Sequence, residues 1–156
     1  MTRHRQHALG TLLLRLALGG IYVAHGVGGW RMLGPDGVAA LMMRMGFPAE
    51  AARLLVWYLF VVHIVGGLLM IIGLWTVSAT LAQLPIMASA VFLLHLPQGF
   101  FMHGIVVDAA AGRAIAGGVE FSFLVLVSTV ALAMLGSGAL SIDHVRAGTA
   151  GRREIP

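Results

Sequence analysis

Residues 54–74 read LLVWYLFVVHIVGGLLMIIGL: every position is apolar, aromatic or glycine except His63. A membrane-spanning helix needs about 20 consecutive, mostly apolar residues, and this stretch supplies them with one interruption. Three further stretches of the same length class flank it. Residues 9–29 carry Arg15 and His25, residues 78–96 carry His95 near their end, and residues 118–138 begin close to Glu120. None alternates polar with apolar positions as a barrel strand would. The expectation is an all-α membrane protein, a four-transmembrane-helix bundle occupying residues 1–156 as a single domain with polar tails at 1–8 and 144–156.

Composition points the same way. Apolar residues make up 59% of the 156-residue chain. The 21 glycines raise the apolar-plus-glycine share to roughly 72%, against about 45–50% in soluble domains. Charged residues are 10%, where about 25% is usual. Mean hydropathy is +0.93. Such a chain cannot cover its surface with polar groups, so its main solvent is lipid, and membrane lipids are its first partners.

All ten cationic residues are arginine, and they are scattered rather than gathered into a basic stripe. Nucleic acid is therefore not an expected partner. Cysteine is absent, which excludes disulfides, thiolate zinc sites, a cysteine nucleophile and an iron–sulfur cluster. The segment Thr2-Arg-His-Arg-Gln-His7 resembles the start of a signal peptide. The apolar run after it is too long and lacks a small-residue cleavage site, so it reads as a retained first helix.

The linkers differ. Between the first two spans, Gly34-Pro35-Asp36-Gly37 precedes an amphipathic stretch, Val38 to Met45, which Gly46-Phe47-Pro48 ends. This predicts a short interfacial helix. Residues 97–117 are rich in glycine and alanine and read as dipping into the membrane surface. Five arginines fall on the side of the termini and four on the other, so the positive-inside rule places the termini in the cytoplasm. The expected location is a bacterial cytoplasmic membrane.

Ionisable groups at membrane depth are costly, and each is a candidate site. Arg15, Leu18, Tyr22 and His25 share one helical face, and Gly19 and Gly26 flank it as notches for a neighbouring helix. Arg15 either snorkels to headgroups ~9 Å away, joins a buried ion pair, or contacts an anionic or quinone-like ligand. Gln83 is a partner candidate for Arg15 by depth. His63 needs partners for two ring nitrogens at mid-membrane. His25, His95, His103 and Glu120 form an outer polar layer. A structural network is the first reading of that layer, a transition-metal site or haem b the alternatives. No HExxH-type spacing supports ligation. Nine methionines without a regular array read as gap-filling rather than a copper site.

Taken in order, Arg15 with His25-Gly26 and Arg31, Gly46-Phe47-Pro48, Gly66-Gly67-Leu68-Leu69 with Gly73-Leu74, Gly118-Val119-Glu120 and the closing Gly136 to Asp143 run resemble the DoxX-type small membrane proteins. The resemblance spans about residues 9 to 146. It implies a four-helix bundle and a role beside quinone-linked or thiol-redox oxidoreductases. That family commonly has a glutamate before its double glycine, whereas this chain has His63, a base nearer neutrality. Without cysteine the chain cannot itself exchange dithiols. The leading expectation is an oxidoreductase accessory binding a quinone-like or other small redox ligand through Arg15, Tyr22 and His63. A larger redox protein or membrane complex is its expected partner. The rival readings are a non-catalytic small subunit or assembly factor, and a haem b or metal-binding electron carrier.

Overall fold

The structure, a computed structural model, describes residues 2–101, 105–108 and 113–151. Helix α1 (Arg3–Met32) is followed by the short α2 (Gly34–Arg44). Helix α3 covers Ala49–Ile72, with a π turn at Val62–Gly66; α4 covers Thr76–Gln98, with a π stretch at Ala90–His95. A two-stranded antiparallel hairpin comes next, β1 (Ile105–Asp108) against β2 (Arg113–Ala116), pairing Ile105 with Ala116. Helices α5 (Glu120–Leu135) and α6 (Ile142–Gly151) close the chain.

Helices α1, α3 and α4 are long and apolar enough to cross a membrane, and the apolar α5 is shorter, at 16 residues. The expected fourth span, 118–138, is therefore cut at its end. Gly136 leaves the helix with φ +74, and sixteen residues rise only about 24 Å against a hydrocarbon core of about 30 Å. The other boundaries move for local reasons. Helix α1 takes in the polar residues from Arg3, because hydropathy registers only its apolar part. Helix α3 stops two residues before Leu74, at Gly73 with φ +73, the left-handed conformation that closes many helices. The tail expected to begin at 144 is helical to Gly151. Within the linker expected to carry a short helix, α2 is present and packs on α3 through Val38, Val56 and Phe60.

The burial pattern is the reverse of a soluble protein's. Leu13, Leu54, Leu124 and Met134 are among many large apolar side chains on the outside, while Thr11, Arg15, His63, Thr76, Thr80, Gln83, Ser122 and Thr129 are buried. An apolar exterior around a partly polar interior suits a lipid solvent. The core joins four helices through Leu18, Tyr22, Met70, Met87, Val125 and Leu132. Helices α1 and α3 cross with their backbones nearly touching. A Cβ on Gly19 would stand 2.6 Å from the Gly67 carbonyl oxygen, and one on Gly67 2.8 Å from that of Gly19. The small-residue notch expected on α1 thus has its counterpart in the double glycine of α3.

Candidate functional site

Two polar centres lie inside this bundle, at different depths. The first is built on Arg15, only 2% exposed. Its Nε donates to the Met70 carbonyl (2.9 Å) and Nη2 to that of Ile71 (3.0 Å). Its Nη1 donates to the carbonyls of Ser137 (2.7 Å) and Leu140 (2.8 Å). The last carbonyls of any α-helix lack intrahelical partners and carry its negative end. Arg15 supplies both what those of α3 need and what the 136–141 turn needs. Gly73 makes room for it: a Cβ there would stand 2.7 Å from the guanidinium carbon.

Asp143 completes the junction at the start of α4. Its carboxylate accepts from the backbone N–H groups of Trp75 (2.8 Å) and Thr76 (3.0 Å), and its own N–H donates to the Gly73 carbonyl (2.9 Å). Asp143 therefore caps α4 from 67 residues away in sequence. Partial burial works to raise its pKa, but the N–H groups of Thr76 and Trp75, with Arg146 nearby, hold it below the ordinary carboxylate value. Gln83, placed near Arg15 by depth alone, instead donates through Nε2 to the Val62 carbonyl (2.8 Å) in the π turn of α3.

The second centre is a cavity of about 200 Å³ lined by Tyr22 and His25 of α1, His63 of α3, Met87 and His95 of α4, and Phe121 and Ser122 of α5, among others. His63 is 7% exposed. Its ring stands edge-on to Tyr22, centroids 5.2 Å apart, and its Nδ1 has no hydrogen-bond partner. The Gln83 carboxamide lies against it with Oε1 also unpartnered. Buried polar atoms without partners are rare and call for a ligand, water or functional explanation. Tyr22 is engaged on its far side: the Thr129 hydroxyl gives its proton to the Val125 carbonyl, so the Tyr22 hydroxyl is the donor in the Tyr22–Thr129 bond. His25 sits at the exposed rim, its Nδ1 2.9 Å from the Ile21 carbonyl oxygen and its ring nearly parallel to Phe121. Both π segments contribute to the wall, through His63 and through Ala90 to His95. Such departures from α geometry are frequent at functional sites.

The structure thus brings Tyr22, His25, His63 and His95 around one cavity and sets Arg15 apart at the helix junction. Glu120 opens α5 without lining the cavity, and His103 lies outside the described residues. Among the described residues no group of three or more histidine or carboxylate side chains is arranged to hold a metal ion. Sequence reasoning passed over Thr129, Ser122 and Phe121, and also the role of Asp143. A signal existed for α4, where Thr76, Thr80, Gln83 and Met87 recur at helical spacing and are all buried. For Asp143 no local signal exists.

An apolar exterior, three membrane-length helices and a polar interior define an integral membrane protein. The DoxX family model matches residues 10–96, more than half of the chain, and this chain belongs to the DoxX family. It is also 25% identical over 140 residues to the Bacillus subtilis (strain 168) protein named "Putative oxidoreductase CatD", covering 90% of this chain and 89% of that one. No solved structure gives a significant match.

Proposed function

We propose that this protein is a membrane component of a redox system that binds a quinone-like ring in the cavity between α1, α3, α4 and α5. The observation that carries the reading is the unpartnered, buried Nδ1 of His63 in a cavity whose wall is mostly apolar and aromatic. An engineered apolar cavity of about 150 Å³ holds benzene, so about 200 Å³ accommodates one substituted six-membered ring. A quinone offers such a ring flat apolar faces and carbonyl oxygens, and a protonated Nδ1 is a donor for one of those oxygens. Tyr22 and Phe121 present ring surfaces, while His25 and His95 supply further polar groups. The bound ring would supply electron acceptance; this chain's residues supply binding, orientation and exclusion of lipid. The oxidoreductase name of the Bacillus subtilis relative favours an accessory role beside a larger redox protein.

In this reading four helices span a bacterial cytoplasmic membrane, with α5, just under the usual spanning length, completed by the turn that follows it, the termini in the cytoplasm and α2 along the interface. Arg15 shapes the site from the junction rather than by contact. The test is saturable binding of the tail-less dimethoxy-methyl-benzoquinone to the purified protein in mild detergent, followed by quenching of tryptophan fluorescence. Wild-type protein is expected to saturate, and His63→Leu to bind about tenfold or more weakly, as loss of one buried hydrogen bond implies. Equal binding by both proteins, or none by wild type, removes this reading.

A further inference from the structure

We infer that the ligand of this site carries a long apolar tail, and that the tail lies in a second cavity adjoining the first; this rests on the quinone-type reading above. The second cavity, of about 250 Å³, lies between α2, α3 and α4. Leu59, Ile86, Ala90 and Leu94 line both cavities. The two spaces therefore share one wall, part of it formed by the π stretch of α4.

Their chemistry differs. The first presents imidazoles and an unpartnered nitrogen. The second has only two side-chain polar groups besides the thioethers of its methionines, and both are engaged: the Tyr58 hydroxyl donates to the Ala82 carbonyl (2.7 Å) and the Ser89 hydroxyl to that of Pro85 (2.8 Å). With no free donor, this cavity rewards an occupant made of carbon and hydrogen. A molecule with a polar ring and an alkyl or prenyl chain matches the pair, ring against His63 and chain against Leu41 and Met45 of the α2 side. Burial from lipid into protein carries little hydrophobic drive. What holds the chain is packing, together with its attachment to a ring already bound.

The test compares two probes on the intact protein in one detergent, the tail-less benzoquinone and its decyl-tailed counterpart. Leu41→Trp fills the second cavity from a residue that does not line the first. It is expected to weaken binding of the decyl probe by about tenfold and to leave the tail-less probe within about twofold of wild type. Because detergent partition is the same for both proteins, the change in the ratio reads the cavity alone. Met45→Trp, filling the same space from another position, is expected to repeat the result and covers the case in which Leu41→Trp does not fold. If both folded variants bind the decyl probe as wild type does, the second cavity holds a lipid chain or nothing, and the inference is overturned while the ring site stands. If wild-type protein binds neither probe, the quinone-type reading falls and takes this inference with it.

Discussion

Replacing Arg15 with methionine keeps a long apolar stem and removes the guanidinium, so that the carbonyls of Ile71, Ser137 and Leu140 lose its N–H groups and that of Met70 keeps only the Gly73 N–H. Hydrogen bonds from a charged donor contribute about 1.5–3 kcal/mol each. Against that stands the cost of holding a cation away from water, several kcal/mol in a protein interior. Methionine escapes that cost, so what counts is the carbonyls left short of a donor, about 1–3 kcal/mol for each one that water cannot reach, and the net loss is expected at about 3–5 kcal/mol. Arg15→Lys is the sharper comparison. An ammonium is a point donor and cannot reach the α3 carbonyls and the 136–141 turn together as a planar fork does, so lysine is expected to recover about half or less of the loss. Unfolding in mixed micelles of mild detergent and increasing dodecyl sulfate measures this. Tryptophan fluorescence is a suitable probe, because the Trp75 backbone is tied into the same junction through Asp143. If Arg15→Met unfolds within about 1 kcal/mol of wild type, or if lysine is fully equivalent, the assignment of Arg15 as the clamp of the helix ends is refuted.

Gly67→Val places a branched side chain where the Gly19 carbonyl oxygen lies 2.8 Å away. It is expected to separate α1 from α3, seen as a loss of at least about 2 kcal/mol in the same unfolding assay. A valine tolerated there would refute the close crossing. Asp143 gives a pH dependence of definite sign. Its pKa lies below the ordinary value of 3.8 in the folded protein, so its contribution is present above that value and lost as pH falls through the lowered folded pKa. Asp143→Asn should abolish that part of the acid transition while costing stability at neutral pH; an unchanged acid limb counts against the cap.

How much of this was legible without coordinates depended on the range of each interaction. Hydropathy located the apolar helices, since lipid solvation acts residue by residue along a span. It blurred their ends, because those were set by Gly73 and Gly136 adopting positive φ and by polar residues that continue a helix without being apolar. The face of Arg15, Leu18, Tyr22 and His25 was readable from helical period, but what it faced was not. Arg15 and His63 looked like members of one site because both are ionisable at depth, yet one meets helix-end carbonyls and the other a cavity. Gln83 illustrates the same gap: its depth along α4 did not say which neighbour its amide would meet.

The sequence by itself determined that lipid is the solvent, that helices carry the fold, and that small residues on α1 and α3 permit a close crossing, because composition and period are local properties. Only the tertiary structure decided that the closing Gly136 to Asp143 run wraps Arg15, that Asp143 caps a helix begun 67 residues earlier, and that His63 faces a cavity shared with Tyr22 and His95. Those outcomes depend on which helices become neighbours and at what rotation. That choice is made by packing over the whole bundle, not by any segment alone.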